Sequence, residues 1–267
     1  MVMPKKHIVI VQIYRKIVKM LSGHGLKKYY PVMILNNFVK SKLKNDFAIV
    51  QGHKMYLDQK DNLSLSIFGV YEPLETELVK NEIKKDNVVL DIGAFIGYYT
   101  LIFAKLVGDQ GKVFAFEPDS KSFDLLKKNV QLNGYKNVIL EQKAVSNKNE
   151  KKIEVENICL DDYFKDYDGK IDFIKIDIEG AEKLALDGMS TLLHKNKDIK
   201  LMTEFHPVEL KKSTVEPSDY LKTLNDYGFK IYHINNKENK IELISNEELL
   251  RIYPERDSLT NIFCKRE

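Results

Sequence analysis

Cysteine is scarce in this chain: Cys159 and Cys264 are the only two in 267 residues, and their wide separation matches no metal-ligand or redox spacing. Their expected state is a pair of buried free thiols in a reducing compartment, which places the protein in the cytoplasm. A charge bias is also missing. The 42 basic and 39 acidic residues leave a formal net charge of +3, which gives no footprint of a dedicated nucleic-acid binder. No transmembrane segment is expected, since the apolar stretch His7 to Leu21 is interrupted by Gln12, Arg15, Lys16 and Lys19, and no small-residue cleavage site follows it. Internal repeats and low-complexity tracts are absent. What remains is a chain long enough for one large α/β domain with an N-terminal extension, or for two small domains, with 43% apolar residues to fill a core.

The chain is organised around Val88 to Thr100, VVLDIGAFIGYYT. Val88, Val89 and Leu90 form a short apolar run suited to a strand buried on both faces; Asp91 ends it and Gly93 opens a tight turn. Ile96, Tyr99, Thr100, Phe103 and Ala104 then recur at helical spacing. Strand, glycine turn and helix in this order make a nucleotide-binding unit, because the glycines admit a close backbone approach and the helix start presents unpaired N–H groups with partial positive charge. A dinucleotide fingerprint needs glycine where this chain has Phe95 and Tyr98, whose side chains fill the space of a pyrophosphate. A nicotinamide dehydrogenase is thereby disfavoured. The next apolar run, GKVFAFEP, ends in Glu117, 20 residues after Gly97. A carboxylate at that tip can accept hydrogen bonds from both hydroxyls of a ribose. A ribose clamp without a phosphate cradle predicts S-adenosyl-L-methionine as the cofactor.

Elsewhere, Ile10, Ile13, Tyr14, Ile17, Val18 and Leu21 share one face of a helix over 7–21, either packed on the domain or lying as a basic amphipathic helix on a membrane surface. A second helix is expected over Tyr29 to Leu43. FAIV, MYLD and LSLSIF are β-prone runs separated by turn-like QGHK and QKDN, so residues 1–68 read as a helical and β-hairpin extension to a domain spanning 69–267. Within that domain helices are expected over Glu75 to Ile83, from Asp119 or Ser120 to Leu132, from Gly180 onward, and over Ser218 to Tyr227. Strands are expected at Val138 to Ala144, Ile171 to Ile178, Ile199 to Phe205, Phe229 to Ile234, Lys240 to Ile244 and Leu259 to Cys264. The alternation predicts a Rossmann-like, mostly parallel sheet with helices on both faces and a C-terminal antiparallel hairpin.

In such a sheet, ligands bind outside the carboxyl ends of the strands near the switch in strand order. That rule gathers Asp91, Glu117, Ala144, Asp177 and the stretch Glu204 to His206 on one rim. In IKIDIEGAE, Lys175, Asp177 and Glu179 alternate with Ile174, Ile176 and Ile178, so the polar three share one side if the strand stays extended. Lysine and aspartate inside an apolar strand are costly unless paired, so Lys175 reads either as an internal ion-pair partner or as part of the site. Methyl transfer from a sulfonium is an in-line displacement that needs aligned reactants and a dry site. A hydroxyl acceptor must also lose its proton, for which His206, Asp177 and Glu179 are the candidates. Asp177, Glu179, Glu204 and His206 also carry the atoms a divalent metal uses, and the sequence does not show whether they converge. Neither an N-P-P-Y or D-P-P-Y run nor a Pro-Cys nucleophile occurs. Their absence favours an oxygen acceptor on a small molecule, sugar or lipid.

The stretches GVYEPLET, VVLDIGAFIGYYT, FAFEPDSKSFDLLKKNVQLNG, AVS, LDDYF and IDFIKIDIEGAE with the following LDGM resemble the successive motifs of FkbM-type methyltransferases, closely over Gly69 to His206 and more loosely beyond. The resemblance implies a class I methyltransferase sheet, S-adenosyl-L-methionine, and an acceptor hydroxyl on a sugar, polyketide or related product. It also implies Gly93, Ala94 and Gly97 at the methionine part, Glu117 at the ribose, and the Ala144 backbone at the adenine edge. Glu72, Asp91, Thr100, Pro118 and Asp177 complete the expected cofactor set; Asp177, Glu179 and His206 form the expected catalytic set, with no metal. Glu72 reads either as part of a segment folded over the cofactor mouth or as a solvated carboxylate at a helix start. Phe95 stands where the family usually has asparagine, and it removes a side chain able to bond the turn or the cofactor. Two other readings stand beside this one: a nucleic-acid methyltransferase, disfavoured by the near-neutral charge, and a non-catalytic cofactor-binding module, which Phe95 keeps open.

Overall fold

The computed structural model describes residues 47–151, 155–254 and 258–266, so the helices expected over 7–21 and 29–43, with the membrane-surface reading, lie outside the described residues. The chain divides into two compact units, one ending at Tyr71 and one running from Glu72 to Glu267. In the first, β1 (Ala48–Val50) and β2 (His53–Met55) pair antiparallel. Gln51 and Gly52 between them both have positive φ, 50° and 83°, the turn sense that matches strand twist. LSLSIF does not add a strand to this hairpin; Leu65–Phe68 is a single helical turn, α1. Asp61 overrides the β propensity. Its carboxylate accepts from the backbone N–H groups of Leu65 and Ser66 and from the Ser66 hydroxyl, at 2.8, 3.3 and 2.5 Å.

The second unit begins with α2 (Pro73–Glu82), β3 (Val88–Ile92), α3 (Tyr98–Val107), β4 (Lys112–Phe116), α4 (Ser120–Leu132) and β5 (Val138–Glu141). Then come β6 (Lys143–Val145), β7 (Glu150–Lys151), β8 (Glu156–Ile158), α5 (Leu160–Tyr163), β9 (Phe173–Ile176), α6 (Glu182–Asp187), α7 (Ser190–Lys195) and β10 (Lys200–Phe205). The chain finishes with α8 (Pro207–Lys212), α9 (Pro217–Asp226), β11 (Lys230–Asn235), β12 (Lys240–Leu243), α10 (Asn246–Ile252) and β13 (Thr260–Lys265).

Eight strands form one sheet in the order β12-β11-β13-β10-β9-β3-β4-β5. The run from β10 to β5 is parallel, whereas β13 is antiparallel to both its neighbours and β12 is antiparallel to β11. Strand order reverses at β3, which has β4 on one side and β9 on the other, so the carboxyl ends of these strands open the crevice where such sheets bind ligands. This is the expected class I methyltransferase sheet with its C-terminal hairpin. Its centre is dry: Leu90, Ile92, Ile174, Ile176, Leu201 and Phe205 are fully buried. Helix α3 is buried on nearly every side, which fixes its first turn against β3. Among the described residues, no helix is long and apolar enough to cross a membrane.

Two strands end earlier than the sequence reading has them. The strand expected from Val138 to Ala144 breaks at Gln142; β5 stays with β4 while β6 leaves to pair with β8. The strand expected from Ile171 to Ile178 shortens to β9. The last strand inserts between β10 and β11, a position in the sheet that the sequence did not specify. Helices α7, α8 and α10, of six, six and seven residues, hold too few turns to give a periodic signal in the sequence.

Candidate active site

From Ile92 the chain turns through Gly93, Ala94, Phe95 and Ile96 into α3. The N–H groups of Gly93 and Ala94 both donate to the Phe116 carbonyl at 3.0 Å, which fastens the turn to the end of β4. Gly93 has φ +83°, and a Cβ there would lie 1.8 Å from the Asp177 carbonyl oxygen. At Gly97, φ +92°, a Cβ would lie 2.8 Å from the Leu126 side chain. Packing against the protein's own chain therefore demands both glycines, whatever a ligand adds. Asn129, fully buried on α4, donates its Nδ2 to the Ile96 carbonyl at 2.8 Å and locks the turn.

Glu117 joins the turn to the start of α4. Its Oε2 accepts from the Phe95 N–H at 2.7 Å and its Oε1 from the Asp119 N–H at 2.8 Å. Burial raises its pKa against these two backbone donors. Phe95 has φ +50°, a region strained for a bulky residue and favourable for asparagine. Pro118, beside Glu117, is half-buried, and so is Ala144, which lies in β6 away from the main sheet.

Strand register assembles the second group. Lys175 is opposite Asp91 across β3 and β9, and opposite Met202 across β9 and β10. The Asp177 N–H continues the β9 ladder by donating to the Ile92 carbonyl at 3.0 Å. Side chains two residues apart share a face, so Asp177 and Glu204 lie on the face that carries Lys175, and Glu204 is opposite Asn261 of β13. A polar row, Asp91, Lys175, Asp177, Glu204 and Asn261, thus crosses the carboxyl ends of β3, β9 and β10 and the amino end of β13. Glu72, at the start of α2, and Tyr99 of α3 close over it. The Tyr99 hydroxyl donates to Glu72 Oε2 at 2.8 Å, Asn261 Nδ2 donates to Glu72 Oε1 at 2.9 Å, and the Lys175 ammonium lies 5.0 Å from the centroid of the Tyr99 ring.

Lys175 is 3% exposed and stands 3.0 Å from Asp177 Oδ2. Burial works against its charge, yet Asp177, Asp91 and Glu72 outweigh burial and hold its pKa above the ordinary lysine value. The internal ion pair and the site are one and the same. Asp91 accepts from the Thr100 hydroxyl through Oδ2 at 2.5 Å, while its buried Oδ1 has no partner among the described residues. Burial raises the Asp91 pKa against Lys175 and Thr100. Thr100 is itself fully buried, so its side chain reaches a ligand only through Asp91. Burial likewise raises the Glu72 pKa, with Lys175 opposing and Glu75 and Asp177 adding.

Glu179 is not brought to this row. The strand ends at Ile176, Glu179 adopts φ +52°, and its side chain is exposed. Two features force the bend: Gly180 packs so closely that a Cβ would lie 2.3 Å from the Glu209 carbonyl oxygen, and Glu182 Oε1 accepts from the Ile178 and Gly180 N–H groups at 3.1 Å each. His206 caps the start of α8 with its Nδ1 3.9 Å from Glu204 Oε2; its Nε2 is buried and has no partner among the described residues. Among the described residues, no group of three or more His, Cys, Asp or Glu side chains is arranged to hold a metal ion. Sequence reasoning missed Tyr99, Asn129, Glu182 and Asn261 as site-building residues. The available signal was a polar residue inside an otherwise apolar run, as Asn261 is in TNIFC.

Glu204 has the most displaced carboxyl of the row, with its pKa pushed up to about 8 by burial first, then by Asp177 and Glu182, with Lys175 opposing and Glu72 adding. A carboxyl raised in the folded state is neutral at no cost below its unfolded pKa, and stability falls as pH rises from there through the folded value. On the order of 3 kcal/mol is therefore lost by the wild type between pH 5 and pH 9, and Glu204→Gln escapes this loss. Urea unfolding of both proteins at the two pH values checks the prediction; parallel pH dependences would refute it.

The reversed strand order, the glycine turn at the switch and the carboxylate at the tip of the adjacent strand make a nucleotide-binding sheet, and the antiparallel β13 inserted between β10 and β11 gives it the class I methyltransferase fold. Comparison with known families agrees. Residues 136–231 match the methyltransferase FkbM domain, and residues 51–175 match the TRM5/TYW2 methyltransferase domain. The chain is an S-adenosyl-L-methionine-dependent methyltransferase, and the first match upholds the resemblance carried by its motifs. No match is found among curated proteins. Similar solved structures include a precorrin-6y C5,15-methyltransferase from Geobacter metallireducens GS-15, at 15% identity and TM-score 0.48, covering 79% of this chain and 94% of that one. An rRNA methylase from Streptococcus thermophilus is similar at 13% identity and TM-score 0.46, covering 72% of this chain and 94% of that one. The methyltransferase FkbM from Methylobacillus flagellatus KT is similar at 18% identity and TM-score 0.45; the match covers 68% of this chain and 44% of that longer one.

Proposed function

We propose that this chain is a cytoplasmic O-methyltransferase acting on a hydroxyl of a sugar, glycan, lipid or secondary metabolite. The observation that carries the reading is the extent of the FkbM match, residues 136–231, which takes in β9, β10 and the carboxylates Asp177 and Glu204 beyond the cofactor turn. The TRM5/TYW2 match, over 51–175, takes in β3, the glycine turn and β4, and it favours a nucleic-acid acceptor as the second reading. Charge weighs against that reading: the row sets Glu72, Asp91 and Asp177 against a single lysine that is itself buried and paired, and so offers no free cation to a phosphate backbone.

The side chains present suit the cofactor. S-adenosyl-L-methionine supplies an electrophilic methyl carbon on a positively charged sulfonium. Asp91, with its buried unpartnered Oδ1, and Glu72 and Asp177 give carboxylates to a cationic ligand. Thr100 orients Asp91. Glu117 and Pro118 stand where a ribose would lie, the backbone of Gly93, Ala94 and Gly97 faces the methionine part, and Ala144 offers its backbone to the adenine edge. Asp177, 30% exposed, is placed to orient the acceptor, whereas His206, whose Nε2 is buried, acts through Glu204. The test is incubation with methyl-labelled S-adenosyl-L-methionine and either a panel of glycosides and polyols or total tRNA, with products read by mass spectrometry. A labelled O-methyl ether on a hydroxylated small molecule is the expected result; label confined to RNA overturns the reading.

A further inference from the structure

Building on the hydroxyl reading, we infer that Glu204 is a catalytic residue, the carboxylate that takes the proton of the acceptor hydroxyl, with His206 as its positioning residue. Methyl transfer to a hydroxyl forms one O–C bond, breaks one C–S bond whose electron pair stays on sulfur, and leaves one proton over. That proton needs a base at the acceptor, and among the carboxylates of the row Glu204 is the one left without a task in holding the fold. Asp91 is bonded to Thr100, Glu72 to Tyr99 and Asn261, and Asp177 to Lys175. The Glu204 side chain accepts no hydrogen bond from the described residues; its nearest polar neighbour is His206 Nδ1 at 3.9 Å. It keeps 14% of its surface open, so a ligand can reach it, whereas His206 Nε2 is closed off. Register sets it beside Asp177 at the tips of two parallel strands, next to the turn assigned to the cofactor.

The environment gives this carboxyl a base strength that an ordinary glutamate lacks. Burial disfavours its charge most, then Asp177 from the end of β9, Glu182 from α6 and Glu72 from the start of α2; Lys175 from β9 favours it, and His206 faces it from the start of α8. With its pKa near 8, the ionised form of this carboxyl is a far better acceptor for a hydroxyl proton than one that lets go near 4.5, and because only that form can take the proton, kcat should rise with pH up to about 8. The proton accepted in one turnover leaves to water through the open surface before the next.

The decisive experiment pairs an acceptor-free measurement with kinetics. In protein labelled with carboxyl 13C-glutamate, one resonance should titrate near pH 8, vanish in Glu204→Gln and move in His206→Gln. With a hydroxyl acceptor from the screen above, Glu204→Gln should lower kcat about 100-fold or more, while KM for S-adenosyl-L-methionine changes little and Glu204→Asp recovers part of the loss. A Glu204 resonance titrating in the ordinary carboxylate range, or a Glu204→Gln enzyme within threefold of wild type, overturns the assignment. Label found only on RNA overturns the hydroxyl reading and with it the task given to Glu204, even where the resonance behaves as stated; the two failures are therefore distinguishable.

Discussion

Replacing Lys175 by methionine should cost about 3–5 kcal/mol of stability near neutral pH, the range for removing one partner of a buried ion pair. The wild-type ammonium is almost fully buried, is bonded to Asp177 and lies over the Tyr99 ring. It is also the cation that Asp91 and Glu72 share. Methionine keeps most of the side-chain volume, so the loss comes from charge and not from a cavity. The sign of the pH dependence follows. Without the lysine Asp91 and Glu72 are held neutral more readily, their folded pKa values climb further above the unfolded ones, and the variant's deficit grows as pH rises from 5 to 8. Denaturant unfolding across that range measures it. The companion variant Lys175→Met with Asp177→Asn should regain part of the loss, because one stranded charge goes with its partner. A deficit independent of pH, or a double variant no better than the single, would contradict a charge-centred row.

Gly93→Ala is the second large effect. Two costs add there. A left-handed conformation costs an L-residue about 1–2 kcal/mol, and forcing a methyl into packed backbone about 1–3 kcal/mol more. The new Cβ would sit 1.8 Å from the Asp177 carbonyl oxygen, so the turn and the end of β9 must separate. Stability should fall by roughly 2–5 kcal/mol, and cofactor affinity with it, since the displaced turn also carries the Phe95 N–H that holds Glu117. Gly134→Ala is the natural control. Gly134 also has positive φ, 73°, but nothing lies within 4 Å of its Cβ position. It should show only the smaller, conformational part. Equal losses at the two glycines would mean that contact with Asp177 is irrelevant.

Much of this architecture was legible in the sequence because the middle of the chain is locally consistent. VVLDI and KVFAF are short apolar runs bounded by glycine or charge, and their order around the GAFIG turn located the switch point and set Glu117 at the tip of the second strand. Elsewhere tertiary context decided the outcome. LSLSIF has strand-like residues, yet the Asp61 carboxylate takes the N–H groups that a strand would have offered to a neighbour. Glu179 alternates correctly with Lys175 and Asp177, but alternation describes a face only while the strand lasts, and Glu182 ends it one turn early. The reason for Gly93 was hidden for a different cause: its neighbour, Asp177, is 84 positions away in the chain. Asn261 illustrates the same limit, since its bond to Glu72 joins residues 189 apart.

The most direct test of the account is a calorimetric titration with S-adenosylhomocysteine, and in parallel with NAD, of the wild type and Glu117→Ala. The account predicts binding of S-adenosylhomocysteine alone to the wild type, and a loss of at least tenfold in affinity for Glu117→Ala, about 1.4 kcal/mol or more. Glu117 bridges the Phe95 turn to the start of α4, so a thermal melt of the free variant separates a lost contact from a lost fold. NAD binding, or unchanged S-adenosylhomocysteine affinity in a folded Glu117→Ala, would contradict the placement of the cofactor at the tips of β3 and β4.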